Sequence, residues 1–388
     1  MHRPTMLMAH PSPELYGSDR VFLESVNACV AAGWRVVATL PQDGPLVEAL
    51  RDRGARVVRC ATPVLRKAAL RPAGFVRLLT DTTMALVPML RLLADTRPDV
   101  VYVNTVTVPL WPVLARITGR TVVAHVHEAE DAVPAPVRAA LAAPLLAATA
   151  VVVNSRATAQ AVARAVPLLR RRIRLVYNGV SGPRQHQEDG SRPHDPIRIV
   201  LVGRLSPRKG TDLAIDALTR LRAGGHRVTL DIVGSVFTGY EWYERELHAL
   251  IRRHEMEDSV RLLGFRTDVW SAYRRADIAV VPSRVEPFGN TSVEAQLAGV
   301  PVVVTAVQGL PETVDNGRTG HVVAPDDPAA LADGLAAVIE DWPAAVATAE
   351  RAREHALYRF APARYAGEIT AIIAETATRQ RKRRTVAG

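Results

Sequence analysis

The sequence is poor in cysteine, in aromatic residues and in long apolar runs, and each shortage excludes a class of protein. Its two cysteines, Cys29 and Cys60, stand in apolar surroundings, so a disulfide framework is excluded. Aromatic residues make up only 5% of the chain and no nucleic-acid-binding motif is present, which argues against a protein that stacks on bases. The longest apolar run, residues 139–153, contains a proline and falls short of a membrane span. The amino-terminal segment shows no secretory signal, so we expect a cytoplasmic protein.

Length and charge narrow the remaining classes. At 388 residues the chain exceeds what one hydrophobic core usually supports, and two domains are expected. The net charge of +10 suggests an acidic partner, which is a nucleic acid, an anionic membrane surface or a phosphorylated substrate. The chain has only three lysines. Basic residues cluster at 66–91, 170–174 and 379–384, and an anionic lipid surface or ordinary solvated faces explain them equally.

Apolar runs alternate with longer amphipathic stretches in both halves of the chain. In the first half they lie at residues 5–9, 34–40, 55–60, 99–103, 121–126, 150–154 and 173–177. In the second half they lie at residues 197–202, 228–233, 260–263, 278–282, 302–305 and 321–324. This rhythm predicts an α/β protein with two Rossmann-like, doubly wound parallel sheets. We expect the two units to face each other across a ligand-binding cleft.

The segment at residues 286–294, EPFGNTSVE, carries two carboxylates eight positions apart. Glu286 precedes a proline and is predicted on a loop, whereas Glu294 is predicted on the following helix. A loop that leaves a strand and enters a helix is where an open α/β sheet binds anionic ligands. Two alternatives stay open, because Thr291 and Glu294 also have the form of a helix capping box and two carboxylates can form a glycosidase pair. The glycosidase pair is disfavoured, since eight helical steps separate the backbones by roughly 12 Å and such pairs need about 5–9.5 Å.

A second candidate site lies at residues 202–213, VGRLSPRKGTDL, between a predicted strand and a predicted helix. Gly203 lets the backbone approach a ligand closely, and Gly210 precedes a helix whose N-terminal dipole favours anions. Arg204 suits bidentate contact with a phosphate, and Lys209 supplies a compact positive charge. We interpret this segment as a phosphate site rather than as solvated charges beside a helix start.

Together these elements resemble those of the GT-B retaining glycosyltransferases of family four. The resemblance rests on the Gly-Arg-Leu-x-x-x-Lys-Gly element, on the two glutamates of 286–294 and on Tyr177-Asn-Gly-Val180, and it covers essentially the whole chain. It implies that Arg204 and Lys209 hold the diphosphate of a nucleotide-sugar donor. It also implies that Glu286 contacts the sugar hydroxyls. The further donor-binding positions that it implies are Gly203, Phe288, Gly289, Asn290, Thr291 and, on the ribose hydroxyls, Glu294.

Two features of the first half also fit this family. Gly17 lies where the family has a glycine-rich loop facing the diphosphate, and this chain has one glycine there where many relatives have two. His127 and Glu128 resemble the family's His-Asp/Glu position near the transferred sugar. By period-two alternation His125 and His127 face the same side of their strand, so the pattern does not separate them. Alignment of the His-Glu pair favours His127, and two packed, satisfied histidines remain the alternative.

The chain contains no Asp-x-Asp motif, which the metal-dependent transferases of the other common fold use to hold a divalent ion. The resemblance therefore implies metal-independent chemistry without a cofactor, in which His127, Glu286, Arg204 and Lys209 are the catalytic set. The expected reaction moves a sugar from a nucleoside-diphosphate donor to a glycan or lipid-linked acceptor in envelope, exopolysaccharide or glycoconjugate synthesis. A nucleotide-sugar isomerase of the same architecture and a non-catalytic glycan-binding relic are the alternatives.

The expected organisation follows from these assignments. We expect an acceptor-binding domain at 1–180, a linker at 181–196, a nucleotide-sugar-binding domain at 197–356, terminal helices at 357–378 that pack back on the first domain, and a basic tail at 379–388. The inner face of the plasma membrane is a further expected location.

Overall fold

The chain divides into two compact units. The structure, a computed structural model, describes residues 3–65, 72–129, 133–183, 193–237 and 239–387, with side chains as far as residue 378. Unit 1 comprises Met1–Gly179 together with Pro362–Gly388, and unit 2 comprises Val180–Ala361. The chain therefore returns to unit 1 at Pro362 rather than at the predicted residue 357. Most of the predicted linker lies outside the described residues.

Unit 1 is built on a parallel sheet with the strand order β3-β2-β1-β4-β5-β6-β7. Within the described residues its strands are Thr5–Ala9 (β1), Arg35–Leu40 (β2), Arg56–Arg59 (β3), Val100–Asn104 (β4), Thr121–Val126 (β5), Ala150–Val153 (β6) and Ile173–Leu175 (β7). The helices between them are Gly17–Ala31 (α1), Pro45–Asp52 (α2), Pro72–Thr96 (α3), Leu110–Ile117 (α4), Ala135–Ala142 (α5) and Arg156–Ala165 (α6).

The strands of unit 1 form where short β-branched runs are bounded by turn residues. The sequence of β4 is VVYVN and that of β6 is AVVV, and both are buried along their whole length. Burial on both faces is expected of a parallel sheet, because the crossover helices cover both sides. One apolar cluster around Trp111 and another around Phe22 fill the two faces of this sheet.

Unit 2 repeats this plan with the strand order β10-β9-β8-β11-β12-β13. Its described strands are Ile197–Val202 (β8), Val228–Val233 (β9), Val260–Leu262 (β10), Ile278–Val281 (β11), Val302–Thr305 (β12) and His321–Val323 (β13). Its described helices are Thr211–Ala223 (α7), Glu241–Arg253 (α8), Trp270–Tyr273 (α9), Asn290–Leu297 (α10), Leu310–Thr313 (α11), Pro328–Glu340 (α12) and Trp342–Arg359 (α13). The prediction of two doubly wound parallel sheets is therefore confirmed.

Each sheet has one point at which the strand order reverses. In unit 1 this point lies between β1 and β4, and in unit 2 it lies between β8 and β11. At such a point the loops after the two central strands diverge to opposite faces of the sheet and leave a crevice at the carboxyl ends. The loops that follow β1, β4, β8 and β11 are therefore where functional side chains are expected to converge.

The final helix, Pro362–Ala387 (α14), belongs to unit 1 and packs against α1. Its apolar residues Tyr365, Ile369 and Ile373 are fully buried in the cluster around Phe22. Gly179 allows this return, because a side chain there would lie 2.8 Å from the Cβ atom of Tyr365. The side chains of the predicted basic tail lie outside the described residues.

Helix α3 is largely uncovered along its first half. Within the described part of the chain it is the one helix long and apolar enough to span a bilayer by length and composition, and 11% of its apolar window is buried. Val76 and Met84 are 62% and 71% exposed, whereas Met89 and Leu93 near its other end are buried. The basic residues predicted just before this helix, Arg66, Lys67 and Arg71, lie outside the described residues.

Candidate active site

The candidate phosphate site of unit 2 lies at its strand-order reversal. Residues 203–209 follow β8 and residues 282–286 follow β11, the two strands at the centre of the sheet. Backbone hydrogen bonds join the two loops, because the amides of Arg284 and Val285 both donate to the carbonyl of Arg208. The topology thus brings Lys209 and Glu286 together although 77 positions separate them in the chain.

Lys209 and Glu286 form a largely buried ion pair. The Lys209 ammonium donates to Glu286 Oε2, and the two side chains are 14% and 11% exposed. Burial lowers the pKa of Lys209, and the opposing charge of Glu286 offsets part of this effect. Burial opposes ionisation of Glu286 as well, but Lys209 and then Arg208 outweigh it and hold its pKa below the ordinary value. Each group therefore offsets part of the cost of burying the other, and a ligand that binds either one has to compete with its partner.

Arg204 lies against an aromatic ring of the neighbouring loop. Its guanidinium carbon stands 3.1 Å from the ring centroid of Phe237, a cation–π arrangement. The loops after β8 and β9 approach closely because residue 234 is glycine, and a side chain there would lie 1.8 Å from the carbonyl oxygen of Gly203. Gly203 itself leaves space that the Lys209 side chain borders at 3.9 Å. The predicted residues Gly203, Arg204 and Lys209 therefore share one short loop that is rich in positive charge.

Sequence reasoning missed the clamp that holds this loop. Arg284 makes a bidentate contact with Asp212, with nitrogen–oxygen distances of 2.8 and 2.7 Å, and also bonds the Pro207 carbonyl at 2.8 Å. Its remaining nitrogen, Nε, donates to Asp326 at 2.6 Å. Tyr243 donates to Asp212 Oδ1 at 2.8 Å from a third element. The clamp fixes the loop that carries Lys209 relative to the loop that carries Glu286, and nothing in the local pattern of either segment marks it.

The second half of the segment 286–294 enters the core of unit 2. Helix α10 begins at Asn290 with Gly289 as its N-cap in the left-handed region, at a φ of 102°. Thr291 is therefore inside the helix, and its buried Oγ1 has no hydrogen-bond partner among the residues that the structure describes. The capping-box alternative for Thr291 and Glu294 is wrong. Glycine at the cap position avoids a close contact, because a side chain at 289 would lie 2.5 Å from Cδ2 of Leu310.

The remaining predicted donor-binding residues occupy two different environments. Phe288 is 2% exposed and packs edge-to-face on Phe360, with ring centroids 5.7 Å apart, so its side chain has a structural role and only its backbone is available. Glu294 is 8% exposed on α10.

In unit 1, Gly17 is the first residue of α1 and not part of a loop, because Tyr16 and Asp19 cap the helix there. This is a correction to the predicted glycine-rich loop.

The strand-order reversal of unit 1 holds a chain of polar side chains that includes His127. Asn104 Oδ1 lies 2.8 Å from His127 Nε2, and Asn104 Nδ2 lies 2.9 Å from His10 Nδ1. His10 Nε2 lies 2.7 Å from Asp19 Oδ1. His10, Asp19 and Asn104 are all buried. Sequence reasoning missed these three, although His10 follows β1 and Asn104 ends β4, positions that the strand order makes neighbours.

The structure separates the environments of the two histidines that the sequence left equivalent. His125 is fully buried, and its Nδ1 lies 2.5 Å from the Tyr102 hydroxyl, which in turn contacts Ser25 at 3.1 Å. Burial lowers the pKa of His125 well below its ordinary value, so its ring is neutral. His127 is partly exposed, and its ring centroid is 4.0 Å from that of His125. His127 is thus the member of the pair that a ligand can reach.

Glu128 supports the backbone of the same segment. Its carboxylate accepts from the backbone amides of His127 at 3.0 Å and Val106 at 3.4 Å. Burial raises the pKa of Glu128 to about 7, and the two amides offset part of this rise. A carboxyl group that titrates near neutral pH therefore lies directly beside His127.

Unit 2 offers positive charge at a helix start, a paired carboxylate and close backbone approach, a combination that suits an anionic, hydroxyl-bearing ligand. Among the described residues, no group of three or more His, Cys, Asp or Glu side chains is arranged to hold a metal ion. The positive groups at this edge of unit 2 include Arg204, Lys209 and the N-terminus of α7.

Solved structures share this architecture across nearly the whole chain. HepE from Anabaena, solved in complex with UDP and glucose, is 24% identical, covers 95% of this chain and 99% of its own, and superposes with a TM-score of 0.77. A sucrose-phosphate synthase from Thermosynechococcus elongatus is 21% identical with a TM-score of 0.76, over 96% of this chain and 99% of its own. The two Rossmann-like units and these neighbours define a glycosyltransferase fold of GT-B architecture.

Sequence comparison gives the family. The model of Glycosyltransferase Family 4 matches residues 16–181 and that of Glycosyl transferases group 1 matches residues 184–355. The chain belongs to the group 1 glycosyltransferases. A glycogen synthase from Mycobacterium tuberculosis is 37% identical over 184 residues, which are 47% of this chain and 43% of that protein. LpsB, a lipopolysaccharide core mannosyltransferase of Rhizobium meliloti, is 32% identical over 182 residues, 46% of this chain and 52% of its own. The chain thus matches about half the length of these curated relatives.

Proposed function

We propose that this protein transfers a hexosyl group, with retention of anomeric configuration and without a metal ion, from a nucleoside-diphosphate sugar to a glycan or lipid-linked acceptor. The observation that carries the proposal is the Lys209–Glu286 pair with Arg204 nearby, at the carboxyl ends of β8 and β11. The structural neighbour HepE, which binds UDP and UDP-glucose, and the relatives that build envelope glycans support this choice of donor and of pathway.

The charges of unit 2 match the demands of the reaction. Departure of a nucleoside diphosphate develops negative charge, and fixed cations stabilise it without reorganisation. Arg204 and Lys209 would meet the diphosphate, while Glu286 would accept from hydroxyls of the sugar. Glu286 is thus a donor-positioning residue and not a nucleophile. The leaving phosphate itself would deprotonate the acceptor on the same face, so the reaction needs no separate base.

The remaining predicted residues take positioning roles in this proposal. The backbone of Phe288, Gly289 and Asn290 would lie beside the sugar or diphosphate, and Glu294 would bind the ribose hydroxyls from α10. In unit 1, His127 would contact the transferred sugar, and Gly17 opens a helix whose N-terminus favours the diphosphate.

Calorimetry with UDP, GDP, ADP and their sugar conjugates, with and without EDTA, tests the donor site. We expect one diphosphate to bind wild type regardless of EDTA, and Lys209→Ala to weaken that binding by about 10²-fold. Arg220→Ala is the matched control, since it removes an exposed positive charge from the far end of α7. Loss of binding in EDTA would refute metal independence. If no nucleotide binds wild type, the transferase proposal fails and a glycan-binding relic becomes the better interpretation.

Product analysis separates transferase from isomerase. With the donor that calorimetry selects, we expect release of nucleoside diphosphate that depends on an added acceptor, and an α-linked product from an α-linked donor. An isomerised or epimerised nucleotide sugar without acceptor would favour the isomerase, and an inverted linkage would refute retention.

We further propose that unit 1 meets an anionic membrane surface through the first half of α3. Its exposed apolar residues include Phe75, Val76, Leu79 and Met84, and the basic residues at 66–71 precede them in the sequence. Each basic residue near an anionic surface contributes about 1 kcal/mol. Apolar side chains on a helix of this kind insert at the headgroup boundary.

Cosedimentation with vesicles tests this surface. We expect binding to vesicles rich in phosphatidylglycerol, weaker binding to phosphatidylcholine, and loss of binding in Leu79→Ser/Met84→Ser. The matched control is Ile117→Ser/Leu168→Ser, which removes two apolar residues of the same unit that are even more exposed, at 76% and 78%. Equal loss in both double variants, or no binding by wild type, would refute the assignment of α3.

A further inference from the structure

We propose that Asp19, His10 and Asn104 form a hydrogen-bond relay that determines which ring nitrogen of His127 carries the proton. The relay crosses the strand-order reversal of unit 1, because His10 follows β1, Asn104 ends β4 and His127 follows β5. All three contacts lie between 2.7 and 2.9 Å. None of the three supporting residues was selected by the sequence motifs, and the proposed donor site does not use them.

Asp19 fixes the first member of the relay. Its Oδ2 accepts from the backbone amide of Tyr16 at 2.8 Å at the N-terminus of α1, where a negative charge is favoured. An ionised carboxylate only accepts hydrogen bonds, so His10 Nε2, 2.7 Å from Oδ1, has to donate. His10 is 1% exposed and stacks on Phe22 with ring centroids 4.6 Å apart, which prevents the ring from turning over to a different partner.

Asn104 transmits this choice to His127. In neutral His10 with the proton on Nε2, Nδ1 has only a lone pair, so the neighbouring Asn104 atom has to be the amide nitrogen. The amide oxygen of Asn104 then faces His127 Nε2 at 2.8 Å, and that nitrogen has to carry a proton. Asn104 is fully buried, so water does not offer its amide another partner. The proton position on His10 therefore sets the proton position on His127.

The consequence for His127 is an unprotonated Nδ1. Burial, and then the neighbouring His10, lowers the pKa of His127 to about 3, so the ring is neutral near pH 7 and only its tautomer can vary. Among the described residues, Nδ1 of His127 has no hydrogen-bond partner. A lone pair at this position accepts from a hydroxyl and repels a phosphate oxygen. Resting on the proposed function, we infer that His127 Nδ1 accepts from a hydroxyl of the sugar or acceptor.

Nitrogen-15 NMR of histidine-labelled protein tests the relay directly, because the shifts of the two ring nitrogens report the tautomer. The His127 signals are assigned by their loss in His127→Gln. At about pH 8 we expect wild-type His127 to carry its proton on Nε2. In Asn104→Leu, which removes the amide at similar volume, we expect a mixture of the two tautomers.

Controls separate the relay from a general loss of stability. Thr96→Val removes a buried hydroxyl of unit 1 and should leave the His127 tautomer unchanged. Should Asn104→Leu not fold, Asn104→Asp serves, because an ionised carboxylate offers only acceptor oxygens and should keep the proton of His127 on Nε2. A wild-type protein with Nδ1–H at about pH 8, a single unchanged tautomer in Asn104→Leu, or Nδ1–H in Asn104→Asp would overturn the proposal.

The kinetic readout distinguishes this proposal from the proposed function. With a working donor, Asn104→Leu should lower kcat/KM about tenfold, the loss expected of one well-placed hydrogen bond. The tautomer of His127 seen by NMR is the readout that a purely structural role of Asn104 would not change. If the protein binds no nucleotide sugar, the NMR experiment still tests the relay by itself. Failure of the proposed function is therefore distinguishable from failure of the relay.

Discussion

Replacing Lys209 by methionine should reveal the free-energy cost of burying the Glu286 carboxylate without its partner. The side chains of the pair are 14% and 11% exposed, and methionine keeps most of the volume of lysine without its charge. Removing one partner of a buried ion pair costs about 3–5 kcal/mol, because the other charge stays buried without compensation. Both side chains are partly exposed, which favours the lower end of this range. We therefore expect unit 2 to lose about 3 kcal/mol of local stability. Replacing both residues, as Lys209→Met/Glu286→Gln, should cost less than either single change.

The pH dependence of this loss has a definite sign. In the wild type Lys209 and Arg208 hold the pKa of Glu286 below its ordinary value, so the contribution of Glu286 is present above about pH 4.3 and is lost as the pH falls through the lowered pKa. In Lys209→Met the burial effect is left opposed mainly by Arg208, and the pKa of Glu286 should rise. The variant then takes up a proton that relieves the buried charge as the pH falls. Its deficit should therefore be largest near pH 8 and smaller near pH 5.

Hydrogen exchange measured by mass spectrometry is the suitable assay, since two units need not unfold together. Peptides that cover β8 and β11 should exchange faster in Lys209→Met, by a factor that shrinks on acidification and in the double variant. Peptides from β4 in unit 1 are the internal control. Additive effects of the two single changes, or a deficit independent of pH, would refute the assignment of a coupled buried pair.

Three further predictions concern single positions. Arg284→Lys keeps the charge but loses the bidentate contact of the clamp, so donor kcat/KM should fall about tenfold while the melting temperature changes little. Glu128→Gln should gain stability over wild type as the pH rises from about 5 to about 8, because the raised pKa of Glu128 means that ionising it in the folded state is unfavourable. Gly289→Ala should destabilise unit 2 by about 1–3 kcal/mol more than Gly317→Ala in denaturant titrations, since both have positive φ but only Gly289 meets a neighbour.

Each of these has a contrary result. Unchanged kinetics in Arg284→Lys would mean that its charge alone matters. A stability difference between Glu128→Gln and wild type that is constant across the pH range would mean that the Glu128 carboxyl does not titrate near neutral pH. Equal losses in the two glycine variants would mean that the left-handed conformation, and not the contact with Leu310, determines the cost.

Much of the fold could be predicted because its strands and helices follow from the local hydrophobic pattern of the sequence. Five predicted runs, at 5–9, 121–126, 197–202, 228–233 and 302–305, coincide with β1, β5, β8, β9 and β12, and the others differ by a residue or two at their ends. Parallel strands are buried on both faces, so each appears as a short continuous apolar run that needs no knowledge of its neighbours. The starts of helices were harder to predict. Glycine is common both in loops and at helix starts, so the sequence alone did not separate these roles for Gly289 and for Gly17 at the start of α1.

The site was predictable only where it is contiguous in sequence. Lys209 and Glu286 were each selected from a local motif, and the resemblance to a family joined them. Arg284 and Asp212 were not selected, because a bidentate contact between residues 72 positions apart leaves no mark in either segment. Likewise His10 and Asn104 are separated by 94 positions, and each is an ordinary polar residue at a strand end.

The sequence by itself determined two doubly wound units, the charged loops at their strand ends and the identity of the residues available there. Tertiary structure decided which of those residues meet. Strand order places β1 beside β4 and β8 beside β11, and this order depends on the packing of helices that no single segment encodes. It also decided protonation, because burial and neighbouring charge shift the pKa values of Glu128, His127 and Glu286, and both act only once distant segments are in contact.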